Sequence, residues 1–167
     1  MTDETKTRVA GVLKKAIKGE VDGYRFYDAL AERTTNPEAK RKLETLRDDE
    51  ARHKKTLYEL FHRLVGGEIG ELPEHGIGAL AEVFRKGKLE ERKTEMEFIT
   101  LAIEAEMAAT NYYKEQRNLV DDPEIQGIFD ALAEEEFSHF EILQAEKDAL
   151  GGNYYWFSLD EGSPLEY

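Results

Sequence analysis

Apolar residues recur at alternating steps of three and four along four long segments of the chain, a spacing that places them on one face of an α-helix. The pattern is clearest in the second segment, where it includes Leu43, Leu46, Leu57, Leu60 and Leu64. It predicts helices over about residues 5–33, 37–65, 90–119 and 123–149. The predicted fold class is therefore all-α, a bundle of four antiparallel helices.

The ends of the predicted helices carry the expected signals. Asn36-Pro37 and Asp122-Pro123 each place a capping side chain before a proline at the first helical position. Gly66-Gly67 and Gly151-Gly152 follow the last apolar positions of their helices. The connector between the second and third helices, residues 66–89, is long enough to run the length of a bundle. We expect a crossover there, with one short helix over its apolar piece, residues 77–84.

We assign residues 1–150 to a single bundle domain, which is an ordinary size for one core. Residues 151–167 form a tail that is rich in aromatic residues, with Tyr154, Tyr155, Trp156 and Phe157 in succession. Such a segment is too apolar for a solvated end. We expect the tail to pack on the bundle or on a partner.

The chain contains an internal repeat with an offset of 86 residues. Residues 16–57 align with 102–143 without a gap, and ten of these forty-two pairs are identical. Several of the identical pairs are apolar or turn residues, which a shared helical hairpin explains. On the inward helix faces the repeat also preserves Glu20/Glu106, Glu50/Glu136 and His53/His139.

The four repeated glutamates fall on the apolar faces of the predicted helices. An ionised carboxylate buried without a partner costs several kcal/mol, and four of them would also repel one another. Lys and Arg are missing from the inward positions, so divalent cations are the expected partners. Cysteine is absent from the chain, which leaves carboxylates and histidines as the metal ligands.

Histidine completes a plausible ligand set. Glu50-Ala51-Arg52-His53 and Glu136-Phe137-Ser138-His139 each place a carboxylate and an imidazole three residues apart, on the same side of a helix. One such pair is a weak signal, but two at the repeat offset are specific. We predict that two ions, of iron or manganese, are held by six side chains: Glu20, Glu50, His53, Glu106, Glu136 and His139.

Four further residues are candidates for supporting roles. Asp49 and Glu135 directly precede ligand glutamates, so they could accept a hydrogen bond from a ligand imidazole or could lie on an ordinary solvated face. Tyr27 and Tyr113 lie two turns after Glu20 and Glu106. They could donate to ligand carboxylates or could be buried tyrosines with satisfied hydroxyls. The remaining histidines, His62 and His75, have no repeated partner and are expected to be solvated or structural.

These motifs resemble the di-iron domain of the ferritin-like superfamily, and most closely the rubrerythrins, over about residues 5–149. The resemblance implies an antiparallel four-helix bundle with a long crossover, a non-haem di-iron centre, a homodimer, and redox chemistry with peroxide or dioxygen. The sequence departs from rubrerythrins in two respects. It lacks the four cysteines of their rubredoxin-like domain, so electrons must come from an external donor protein. It also has Ala109 where they carry a further glutamate ligand.

Two functions compete on this basis. In the first, a reduced di-iron centre transfers electrons to hydrogen peroxide or dioxygen and so protects against oxidative stress. In the second, the same centre is a ferritin-type ferroxidase that oxidises Fe(II) for storage. The first is preferred because nothing in the sequence resembles the fifth helix of ferritin cages, and the buried carboxylates disfavour a bundle without metal.

Charge and hydropathy limit the other partners. There are 36 acidic and 23 basic residues, giving a net charge of −13 that disfavours nucleic acid and anionic membrane surfaces. The sequence shows neither a membrane-spanning stretch nor a signal peptide. We therefore expect a cytoplasmic protein without nucleic-acid or membrane partners.

Overall fold

Four α-helices make up most of the described part of the chain. The computed structural model describes residues 2–85, 88–89, 93–152 and 156. The helices are α1 (Asp3–Arg33), α2 (Pro37–Leu64), α3 (Glu95–Asn118) and α4 (Pro123–Leu150). Helix α1 packs along α2, and α3 packs along α4. Short connections within each pair make its two helices antiparallel. The predicted all-α four-helix bundle of ferritin-like type is confirmed.

The repeated hairpins begin their second helices in the same way. The side chain of Asn36 accepts hydrogen bonds from the backbone N–H groups of Glu38 and Ala39, at 3.0 and 3.1 Å. The side chain of Asp122 does the same for Glu124 and Ile125, at 2.9 and 3.1 Å. Each cap satisfies two of the four backbone donors that a helix N-terminus leaves without an internal partner.

Helix α3 begins at Glu95, later than the predicted start. The predicted start at residue 90 is wrong, although residues 90–92 themselves lie outside the described part of the chain. Thr94 is the N-cap, and its side chain accepts from the N–H of Glu97 while the Glu97 carboxylate accepts from the N–H of Thr94. This capping box starts the helix at Glu95.

The crossover between α2 and α3 contains little regular structure. The short helix expected over residues 77–84 is a single 3₁₀ turn, Leu80–Val83. Two strands of two residues follow it, β1 (Phe84–Arg85) and β2 (Lys88–Leu89), which pair antiparallel. The crossover also buries Ile69, Ile77 and Leu80 against the bundle. These side chains anchor the crossover to the core, although most of its other described residues are exposed.

The core is divided into two apolar clusters. One contains Phe26, Leu43 and Phe98, and the other contains Leu13, Leu57 and other residues towards the opposite end of the helices. Burial of each large apolar side chain contributes about 1.5–3 kcal/mol. The four repeated glutamates fall between these two groups along each helix. Within the described residues, no helix is long and apolar enough to span a membrane.

Trp156 is the aromatic residue of the tail that the structure describes. Trp156 is 1% exposed and packs in the cluster that contains Phe26 and Phe98. Its backbone carbonyl accepts hydrogen bonds from the N–H groups of Thr35 and Asn36, at 2.7 and 3.0 Å. These bonds hold Trp156 at the α1–α2 connection. The other residues expected to pack there, 153–155 and 157–167, lie outside the described residues.

Candidate metal centre

All six predicted ligands meet in the middle of the bundle. Helices α1 and α3 each contribute one glutamate, and α2 and α4 each contribute a glutamate and a histidine one turn later. Each of these side chains is buried, with at most 5% of the residue exposed. The helical period explains the arrangement, because an i, i+3 step keeps Glu50 beside His53 and Glu136 beside His139.

The ligand atoms form two overlapping groups. Glu20, Glu50, His53 and Glu136 make the first, and Glu50, Glu106, Glu136 and His139 make the second. Within each group, one ligand atom from every residue lies within 4.8 Å of the others. Glu50 and Glu136 belong to both groups. The geometry therefore suits two neighbouring ions that share two carboxylates, with one further glutamate and one histidine for each.

Both imidazoles turn the same nitrogen towards the carboxylates. His53 Nδ1 lies 3.1 Å from Glu136 Oε1 and 3.4 Å from Glu20 Oε2. His139 Nδ1 lies 3.2 Å from Glu136 Oε2 and 3.6 Å from Glu50 Oε1. The two rings are stacked, with their centroids 5.7 Å apart. Nδ1 is therefore the nitrogen available to a metal in each half of the site.

Asp49 and Glu135 contact the other imidazole nitrogens. The Nε2 atom of His53 lies 2.9 Å from Glu135 Oε2, and that of His139 lies 3.1 Å from Asp49 Oδ2. Each contact crosses from one hairpin to the other. An ionised carboxylate at Nε2 keeps a proton on that nitrogen, so that Nδ1 can present its lone pair to a metal.

Arg52 connects these two carboxylates, and sequence reasoning missed it. Its guanidinium donates to Asp49 at 2.7 Å and to Glu135 at 2.6 and 3.2 Å. Arg52 lowers the pKa of Glu135 to about 2. The pKa of Asp49 is also lowered, because hydrogen bonds from Arg52 and His139 outweigh partial burial. The i, i+3 spacing of Asp49 and Arg52 is visible in the sequence. The contact between Arg52 and Glu135 joins α2 to α4, so the sequence alone does not reveal it.

Two tyrosines reach across the site in a symmetrical arrangement. The hydroxyl of Tyr27 on α1 donates to Glu106 on α3, and the hydroxyl of Tyr113 on α3 donates to Glu20 on α1. Both tyrosines are fully buried. Burial and the neighbouring carboxylates raise the pKa of each phenol well above its ordinary value. Both hydroxyls therefore stay protonated and act as donors.

Burial and mutual repulsion raise the pKa of two carboxylates in the cluster. Burial, followed by repulsion from Glu136, raises the pKa of Glu106 to about 8 and that of Glu50 well above its usual range. Burial would lower the pKa of His53, but the neighbouring carboxylates of Glu136 and Glu20 raise it to about 12. Without metal, protons must therefore supply much of the neutralising charge.

Several buried atoms in the cluster have no hydrogen-bond partner among the described residues. They are Glu20 Oε2, Glu50 Oε1, Glu136 Oε2 and His139 Nδ1. Buried polar atoms are normally satisfied. These atoms all belong to the two ligand groups, and their oxygen and imidazole chemistry suits iron or manganese. The residues present therefore fit a pair of divalent cations.

The remaining histidines lie away from the cluster. His62 and His75 are both exposed, as expected for residues without a repeated partner. The ring of His62 packs edge-on against Phe61, with a centroid distance of 6.2 Å.

The fold and the site together define a four-helix bundle protein with a buried, carboxylate-rich cluster suited to two metal ions. The Rubrerythrin family model matches residues 11–147, with a second match over residues 97–161. The chain therefore belongs to the Rubrerythrin family, and the resemblance noted from its motifs is confirmed.

A solved structure supports the same fold. The hypothetical protein Pfu-1136390-001 from Pyrococcus furiosus is similar to this chain, with a TM-score of 0.77 and 29% sequence identity. The similarity covers 88% of this chain and 93% of the other. No curated protein matches the chain.

Proposed function

We propose that this protein is a di-iron oxidoreductase that reduces hydrogen peroxide or dioxygen with electrons from an external donor protein. The observation that carries the proposal is the buried set of four glutamates and two histidines, arranged as two ligand groups that share Glu50 and Glu136. Two irons held there would supply the two electrons that convert hydrogen peroxide and two protons into two waters.

The surrounding residues support this chemistry by fixing the ligands. Glu135 and Asp49 hold the Nε2 protons of the two histidines, and Arg52 holds both carboxylates in place. Tyr27 and Tyr113 each donate to a glutamate that belongs to only one ligand group. The site is thereby preorganised, so that few side chains need to move when the metal charge changes.

A small cavity lies on one side of the cluster. A cavity of about 20 Å³ lies beside the four glutamates, between Gly23 of α1 and Ala109 of α3. A cavity of roughly 10–15 Å³ holds one water. Ala109 occupies the position at which rubrerythrins carry a further glutamate, so its methyl group leaves this space clear.

The composition of the chain supports an external electron donor. The sequence contains no cysteine, so it carries no cysteine-ligated iron of its own. We propose that a rubredoxin-type protein supplies the electrons and that the working unit is a homodimer. Phe137 and Ile142 of α4, which are 40% and 42% exposed, are apolar residues that a second copy could cover. Light scattering would give the mass of the assembly.

Metal analysis and single-turnover kinetics test the proposal. The purified protein should contain two irons per chain, and the fully reduced protein should be oxidised once by hydrogen peroxide or by dioxygen. Turnover should then require a rubredoxin-type donor with its reductase. His53→Ala should lose iron and activity, whereas His62→Ala, which changes an exposed histidine of the same helix, should retain both.

Storage is the outcome that would overturn the proposal. A ferroxidase continues to consume dioxygen for as long as Fe(II) is added, because its substrate delivers the electrons. Sustained Fe(II) oxidation, with hundreds of irons retained in a large subunit cage, would establish that alternative.

A further inference from the structure

The crossover touches both α1 and α3 directly beside the metal centre. A Cβ atom added to Gly76 would lie 2.5 Å from the backbone nitrogen of Gly19 in α1. A Cβ atom added to Gly78 would lie 3.3 Å from the Cα atom of Ala105 in α3. Gly78 also has a positive φ of 73°, which side chains disfavour. Glycine is therefore needed at both ends of the tripeptide Gly76–Ile77–Gly78.

The two contact points are related by the internal repeat. Gly19 and Ala105 are 86 residues apart, and each directly precedes a glutamate of the metal centre, Glu20 or Glu106. The tripeptide therefore spans equivalent positions on the two helices. Its central side chain, Ile77, packs against Gly19, where an added Cβ atom would lie 3.2 Å from the Cβ atom of Ile77.

Ile77 covers the side of the carboxylate cluster on which the cavity lies. The 20 Å³ cavity is bounded there by Ile77 and Leu80, while Gly23 and Ala109 bound it along α1 and α3. Ile77 and Leu80 are 8% and 6% exposed, so both belong to the packed interior. An apolar cavity that binds benzene has a volume of roughly 150 Å³. The existing space therefore suits a molecule of very few atoms.

We propose that Gly76–Ile77–Gly78 is a size filter that restricts the metal centre to hydrogen peroxide and dioxygen and excludes bulky organic hydroperoxides. The proposal rests on the proposed function and specifies its substrate class. Ile77 determines selectivity by occupying the space that an organic group would need, and the two glycine contacts hold it there.

The test compares two isoleucines of the same crossover. Ile77→Ala should raise the ratio of kcat/KM for cumene hydroperoxide to kcat/KM for hydrogen peroxide by at least about tenfold, as expected when a close steric contact is removed. Ile69→Ala is the matched control, because Ile69 is 7% exposed, lies in the same apolar cluster and does not line the cavity. Its ratio should equal that of the unmodified protein. Ile77→Val should give a smaller change in the same direction and is the milder variant if Ile77→Ala folds poorly.

A second readout does not depend on turnover. Benzoate should perturb the visible absorption of Co(II)-substituted Ile77→Ala, but not that of the Co(II)-substituted unmodified protein or of Ile69→Ala. Identical responses of Ile77→Ala and the unmodified protein in both assays would overturn the filter. If the reduced unmodified protein reacts with neither peroxide nor dioxygen, the proposed function fails, and the benzoate comparison still decides whether Ile77 limits access.

Discussion

Replacing Gly23 by alanine tests whether the position of the Glu50 carboxylate controls metal binding. A Cβ atom at this position would lie 2.9 Å from the carboxyl carbon of Glu50, and ordinary contact begins at 3.4 Å. Because the Oε2 atom of Glu50 would lie closer still, the carboxyl group would have to retreat by at least about 0.5 Å, whereas metal–ligand distances are held to within roughly 0.2 Å. Glu50 is buried and belongs to both ligand groups, so the displacement affects both ions.

The expected change in melting temperature follows from the linkage between metal binding and folding stability. A disturbance close to the ligands weakens metal binding by about 10–100-fold, as is typical when ligand orientation is altered. At saturating metal this removes about 1.4–2.7 kcal/mol of metal-derived stability for each ion. A change of 1 kcal/mol shifts the melting temperature of a protein of this size by about 2–4 °C. The stabilisation by metal should therefore shrink by about 3–11 °C per ion.

Gly11→Ala provides the matched control within the same helix. An added Cβ atom at Gly11 meets nothing within 4 Å, so this variant gains only the helical preference of alanine, about 0.5–1 kcal/mol. Melting curves should be recorded anaerobically with and without Fe(II) or Mn(II). Gly11→Ala should keep the full metal-induced rise in melting temperature. An equally full rise in Gly23→Ala would refute the reasoning.

Three other predictions follow from the surroundings of the ligands. Arg52→Ala should raise the dissociation constant for Mn(II) by at least about tenfold, measured by calorimetry, because Glu135, which contacts His53, loses its hydrogen bonds to the guanidinium. Arg63→Ala removes an exposed ion pair and should leave this constant unchanged. Tyr27→Phe should lower the free energy of unfolding of the metal-loaded protein by about 1.5–3 kcal/mol in urea titrations, since Glu106 loses a buried donor. Without metal, the melting temperature should fall between pH 6 and 9. The pKa values of Glu106 and His53, about 8 and about 12, lie above those of the same groups in the unfolded chain. The folded state therefore holds more protons and loses stability as the pH rises. A melting temperature that rises over this range would contradict the assignment of these protons.

Much of the helical architecture and the membership of the cluster were accessible from the sequence. Hydrophobic periodicity and local capping are short-range properties, so Asn36-Pro37 and Asp122-Pro123 correctly marked two helix starts. The repeat then singled out glutamates and histidines on inward faces. All six side chains do meet in the structure, because helices of a bundle must turn their apolar faces towards one another.

The start of α3 shows how a local signal can be passed over. The prediction placed the start at about residue 90, although residues 90–93 are all charged and the apolar positions of this helix begin later. The capping signal, Thr94 with Glu97 three residues later, was present in the sequence. The reciprocal hydrogen bonds of these two residues begin the helix at Glu95.

Contacts between separate elements were decided only by the tertiary structure. Periodicity places Arg52 on a helix face but cannot show that its guanidinium reaches Glu135 on α4, because that distance depends on how the two hairpins pack. Sequence likewise gave Tyr27 and Tyr113 alternative roles, and packing paired each with the glutamate on the other helix. The position of Ile77 over the cluster is the clearest case. It requires the close approach of Gly76 to Gly19, between segments more than fifty residues apart, and no local preference encodes that approach.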